Sequence, residues 1–142
     1  MIAAARVVLG LLLAVLAVTG CSSEYTEGTS GPAARPDQSL EAARTKLELV
    51  QQDACYTSRD VAGLYPRCGR WEEEVLNVAN AASVARPDQR EITDPAAAVV
   101  AGHDHFLRAG CATGGAADQC VAAITETRDA VTSLGRGITT AR

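Results

Sequence analysis

Four groups of side chains in this 142-residue sequence carry chemistry by type and spacing. Five cysteines, at positions 21, 55, 68, 111 and 120, can pair as disulfides, hold zinc or carry a covalent modification. His103-Asp104-His105 offers two imidazoles around a carboxylate, and Glu72-Glu73-Glu74 offers three consecutive acids. The segment from Tyr56 to Trp71 gathers Tyr56, Tyr65 and Trp71 with Arg59, Arg67 and Arg70, and aromatic and arginine side chains dominate binding hot spots.

Most of the catalytic chemistry open to these groups fails on spacing. No C-x2-C pair is present, which argues against both a zinc site and a thioredoxin-like redox centre. Helical residues two apart point in nearly opposite directions, so His103 and His105 cannot converge on one metal ion. His103 falls on an apolar stripe with Phe106 and is expected to be partly buried at a helix seam, with His105 facing water. A His103 buried beside a carboxylate would sense pH, but the sequence identifies no such partner. Consecutive acids fan around a helix axis, so Glu72, Glu73 and Glu74 read as solvated helix surface rather than as a glycosidase pair. There is no G-x-S-x-G, H-E-x-x-H or phosphate loop, and the expectation is a noncatalytic protein without cofactor or metal. For the aromatic and arginine segment two readings stand. Tyr56, Tyr65 and Trp71 pack as a small satellite core with Asp60 capping a helical turn, or Tyr56, Arg59, Tyr65, Arg67, Arg70 and Trp71 form a recognition surface.

The elements that must position these groups are helical. From Ser39 onward apolar residues recur at three and four, and no segment alternates with period two. Leu40, Ala43, Leu47, Val50 and Ala54 form the first stripe, behind Asp37 and Ser39 as caps. Cys68, Trp71, Val75, Val78, Ala82 and Ala85 form the second, ended by Arg86-Pro87. A third helix is predicted to begin at Asp94-Pro95, to run through Val99, His103 and Phe106, and to stop at Gly110. The fourth carries Cys120, Ile124, Thr127, Val131 and Leu134, with Gly135 as its terminator. The prediction is an all-α fold, a small antiparallel four-helix bundle.

Ahead of that domain, Arg6 precedes an apolar run from Val7 to Val18 and then small residues to Cys21, the pattern of an export leader. Val18-Thr19-Gly20-Cys21 resembles the lipobox of bacterial lipoproteins, with valine where leucine is commonest. The resemblance covers 21 residues and says nothing of the rest of the chain. It implies cleavage before Cys21, a diacylglycerol thioether on its sulfur and an acyl chain such as palmitate on the new amine. Residues 1–20 are then a signal peptide, and residues 21–38 a lipidated cysteine and a flexible, disordered tether of Ser, Thr, Gly, Pro and Glu. Its reach is about 20 to 24 Å. The helical bundle occupies 39–142.

With Cys21 modified, four cysteines remain in an oxidising compartment, and three pairings are possible. Cys55 and Cys68 lie between the first two predicted helices, and Cys111 and Cys120 between the last two. Local pairing, Cys55–Cys68 and Cys111–Cys120, clamps the closed end of each hairpin and is the expected arrangement. Only 24 valine, isoleucine, leucine and aromatic residues lie in positions 22 to 142, a core that needs such staples. Ala34-Arg35-Pro36-Asp37-Gln38 recurs as Ala85-Arg86-Pro87-Asp88-Gln89, each copy followed by helix, cysteine, cysteine, helix. Either duplication or a chance match in an alanine-rich chain accounts for it.

The length excludes large multidomain enzymes and doubly wound nucleotide binders. The net charge of −4, without a basic block, gives no footprint for nucleic acid. The expectation is an exported lipoprotein at the extracytoplasmic face of the bacterial cell membrane, held there by membrane lipid through acylated Cys21. Its domain serves binding or envelope contact, with an envelope protein or a small ligand as partner. The alternatives are a small-ligand carrier or sensor with an interhelical pocket near His103, Phe106 or Trp71, or an inhibitor of an exported partner.

Overall fold

A computed structural model describes residues 39–141. The leader, Cys21, the tether and the first copy of the repeated pentapeptide lie outside the described residues, as does Arg142. Six α-helices and two 3-10 turns, with no strand, make up the described residues. They are α1 (Leu40–Val50), α2 (Ala54–Thr57), α3 (Val61–Leu64), a turn at Tyr65–Arg67, α4 (Gly69–Ala85), α5 (Arg90–Arg108), a turn at Cys111–Thr113, and α6 (Ala117–Thr140). The long helices α1, α4, α5 and α6 form the bundle.

Cross-helix contacts fix the direction of each neighbour. Trp71 at the start of α4 donates its Nε1–H to the Val50 carbonyl at the end of α1, at 3.0 Å. Arg44 near the start of α1 reaches the Ile138 carbonyl near the end of α6, at 3.1 Å. The Glu91 carbonyl at the start of α5 lies against Gly137 at the end of α6. Both helix pairs are therefore antiparallel hairpins, and α1 closes the ring against α6. The α5–α6 seam is the most extensive.

The core is what the apolar stripes bring together: Leu47, Val50, Trp71, Val75, Val78, Ile92, Val99, Phe106, Ile124, Val131, Leu134 and Ile138 are all buried. Cys55–Cys68 and Cys111–Cys120 are disulfides, with Cα atoms 5.7 and 5.4 Å apart, and all four cysteines are buried. Both staples sit at one end of the bundle, where the two 3-10 turns pack together and Tyr65 Oη donates to the Gly115 carbonyl at 3.0 Å.

Helix ends follow local hydrogen bonding. Ser39 caps α1 as expected, its hydroxyl accepting from the Ala42 N–H at 3.1 Å. α4 ends at Ala85 before Arg86-Pro87, and Gly110, at φ +67°, takes the left-handed conformation that stops α5. Three expected boundaries are corrected. The first helix ends at Val50 rather than Ala54, because Asp53 turns extended and its carboxylate accepts from Cys55 N–H at 2.7 Å, starting a new helix. α5 starts at Arg90, a turn before Asp94-Pro95, so Pro95 lies inside it. Within the first two turns a proline costs one donor, and the acceptor it orphans is the Glu91 carbonyl. That same carbonyl meets Gly137, whose bare Cα lets α6 approach. α6 accordingly runs through Gly135 to Thr140, and its glycines are contact points instead of stops.

Candidate functional site

Two places in the bundle concentrate polar chemistry. The first lies between α4, α5 and α6. Glu72 follows Trp71 and sits four residues after Cys68 and three before Val75, so it shares the inward face of α4. The expectation of a solvated acid is corrected: Glu72 is 0% exposed, while Glu73 and Glu74 are on the surface. The stripe on α4 is wider than its apolar members suggested, because Glu72 and Ala79 form a second inward column one heptad apart.

His103 of α5 faces it. The imidazole is 8% exposed, and its Nδ1 stands 3.8 Å from Glu72 Oε2, beyond hydrogen-bonding range. From α6, Thr127 Oγ1 lies 3.3 Å from Glu72 Oε2 and 3.1 Å from the Ala123 carbonyl. Glu72 Oε1 and His103 Nδ1 are buried without a hydrogen-bond partner. Burial pushes the Glu72 carboxyl up to about 7, against the opposing effect of its hydrogen bond with Thr127. Gly102 makes this approach possible, since any Cβ there would collide with the Thr127 hydroxyl. His105, two residues on, is half-buried, and its Nδ1 meets Glu126 Oε2 of α6 at 2.9 Å. The two imidazoles therefore face separate carboxylates on different helices, His105 bonded to its own and His103 standing off from Glu72. Among the described residues no three histidine, cysteine or acidic side chains converge as a metal site.

The second place is the stapled end. Asp60 caps α3, its Oδ1 accepting from the Gly63 N–H at 3.0 Å. Trp71 is buried, and Tyr56 packs beside it with ring centroids 6.5 Å apart. The Tyr56 hydroxyl pairs with Thr132 Oγ1 at 2.8 Å. Arg128 of α6 ties this end down, donating from Nε to the Cys55 carbonyl at 2.6 Å and from Nη1 to the Ser58 carbonyl at 2.9 Å. Burial lowers its pKa, with the neighbouring Tyr56 acting in the opposite direction. Arg59, Arg67 and Arg70 stay exposed, Arg70 in a surface pair with Glu74 at 2.8 Å. Of the residues named for a recognition surface, the structure thus puts Trp71 in the core, Tyr56 and Tyr65 half-buried on it, and the three arginines around them in solvent. Arg128 was missed from the sequence, since nothing in its neighbours marks a cation that turns inward.

His103, Phe106 and Trp71, around which an interhelical pocket was considered, are all packed in the core. The larger depressions are open grooves, such as one of about 670 Å³ between α1 and α6 that includes Arg44, Gln51, Thr132 and Arg136. No helix among the described residues is long and apolar enough to cross a membrane.

Fold and sites together define a disulfide-stapled, all-α bundle with a buried acid and imidazole at its centre and an arginine-bearing stapled end. No protein-family model matches the chain, and neither the curated proteins nor the solved structures give a match.

Proposed function

We propose that the protein is an exported lipoprotein, anchored by acylated Cys21 at the outer face of the cell membrane, whose helical domain is a noncatalytic binding or envelope-contact module. The observation that carries this reading is the lipobox-like Val18-Thr19-Gly20-Cys21 standing ahead of a domain whose four remaining cysteines are consumed in two disulfides. Structural disulfides belong to oxidising compartments, which agrees with export. Two or more acyl chains give stable attachment, each buried methylene adding about 0.8 kcal/mol. The contact face we favour is the stapled end. There the exposed guanidinium groups of Arg59 and Arg67 stand on a base fixed by two disulfides, Trp71 and Arg128. A rigid base of this kind lowers the entropy lost on binding.

Membrane fractionation of cells producing the wild-type protein and Cys21→Ser tests the anchor. Release of the variant, or a leader left uncleaved, is the expected result. Unchanged membrane retention of a processed Cys21→Ser protein refutes it.

A further inference from the structure

We propose that Glu72 and His103 hold one proton between them inside the bundle, and that α4 packs fully against α5 and α6 only while that proton is present. The device lies in the core, independent of the lipid anchor and of the stapled end.

The hydrogen-bond inventory leads there. An ionised carboxylate has acceptor sites on both oxygens, yet Oε1 of the fully buried Glu72 has no partner. Oε2 has one hydrogen-bonding contact, Thr127 Oγ1 at 3.3 Å. Thr127 has a single hydroxyl hydrogen, and the Ala123 carbonyl one turn back, at 3.1 Å, is placed to take it. Divided between the Ala123 carbonyl and Glu72 Oε2, that one hydrogen gives a buried carboxylate at most a shared hydrogen bond. The neutral acid therefore fits the site and the bare anion does not.

His103 Nδ1, also unpartnered and 3.8 Å from Oε2, is the other resting place for that proton. Transfer from Glu72 to His103 creates an ion pair without changing the proton count. Loss of the proton to solvent leaves a carboxylate in an apolar interior, with no cation to answer it. The surroundings hold no substitute. On α6, Glu126 is engaged with His105, and Arg128 with the carbonyls of Cys55 and Ser58. On α4, Glu73 faces solvent and Arg70 pairs with Glu74. On α1, Arg44 pairs with Glu41 and the Ile138 carbonyl, while Lys46 and Glu48 are exposed. Asp104 and Arg108 of α5 are also exposed. Nor can the seam yield locally, since Gly102 already brings α5 against Thr127.

The folded state then keeps a proton that the unfolded chain releases at the ordinary glutamate value of about 4.3. Stability contributed by this site is present in full below that value and is lost as pH rises through the folded-state value near neutrality. Urea unfolding of the full mature protein, disulfides intact, between about pH 5 and pH 8.5 tests it against Glu72→Gln, which is neutral at every pH. The expected ratio of wild-type to variant folding constants falls toward tenfold per pH unit between about pH 5 and 7 and levels off above. A pH-independent ratio overturns the proposal. Should Glu72→Gln fail to fold, carbon-13 titration of the Glu72 carboxyl in the wild-type protein decides, with an inflection near neutrality expected and one in the ordinary acid range contradicting. In His103→Gln the same inflection should move down, because one of the two forms that hold the proton is gone. An unmoved inflection removes His103 from the device.

Discussion

Two glycines of α6, two residues apart, meet their neighbours differently. A methyl group at Gly137 would run into the Glu91 backbone carbonyl, which belongs to a helix and cannot step aside. At Gly135 it would meet Gln51 Nε2 at 3.1 Å and Leu47 Cδ2 at 3.4 Å, both ends of side chains that can shift. Replacing a mid-helix glycine by alanine gains about 1 kcal/mol of helix propensity. Gly135→Ala is therefore expected to be neutral or stabilising by up to about 1 kcal/mol. Gly137→Ala should lose about 1 to 3 kcal/mol, because overpacking outweighs the same gain. Urea midpoints of the two variants compare them directly. Trp71→Phe keeps most of the buried ring but strips the donor from the Val50 carbonyl, and a loss of about 1 to 3 kcal/mol is expected. The same scale shows what the sequence concealed. Trp71 was readable as packing because its size and its place in the stripe agree, whereas Glu72 carries the chemistry of a surface residue. Its burial depends on α5 and α6 meeting α4 on that side, a fact of tertiary packing that no spacing within α4 states. His103 was legible as a seam residue; its partner was not, for the same reason.

At the level of elements, the two staples tie the helix connections together. The Cys111–Cys120 bridge closes a separation of 9 residues and Cys55–Cys68 one of 13. Each should contribute about 2 to 3 kcal/mol, mainly by restricting the unfolded chain. Cys111→Ser combined with Cys120→Ser is expected to lower stability by that amount in urea unfolding, with helical circular dichroism retained below the transition. Loss of less than about 0.5 kcal/mol would show that the α5–α6 turn holds itself, through the positive-φ Gly110 and Gly114. The helices and the pairing of the cysteines were legible because periodicity and chain adjacency are local properties. Helix ends were less so. Asp94-Pro95 has the look of a helix start, but a proline in the second turn is tolerated here because its orphaned acceptor packs on Gly137. Gly135 has the look of a helix stop, but α6 continues because α1 and α5 need a close surface there. In each case the residue type was right for a local role and a neighbouring helix gave it another.

On the proposed reading, a lipid-anchored tether precedes a domain that is cross-linked at one end and carries its buried acid in the middle. The staples, Trp71 and Arg128 fix the end that presents Arg59 and Arg67, while the central acid makes the bundle firmer at mildly acidic pH than above neutrality. The proposed role is contact with another component of the envelope. The central claim, a lipid-held and fully oxidised domain, is tested most directly by intact-mass spectrometry of the protein extracted in detergent from the producing cells, after alkylation without reduction. The expected mass is that of a chain starting at Cys21 with diacylglycerol attached and no alkylated thiol. An unacylated chain, one beginning at another residue, or one with alkylated cysteines would contradict it.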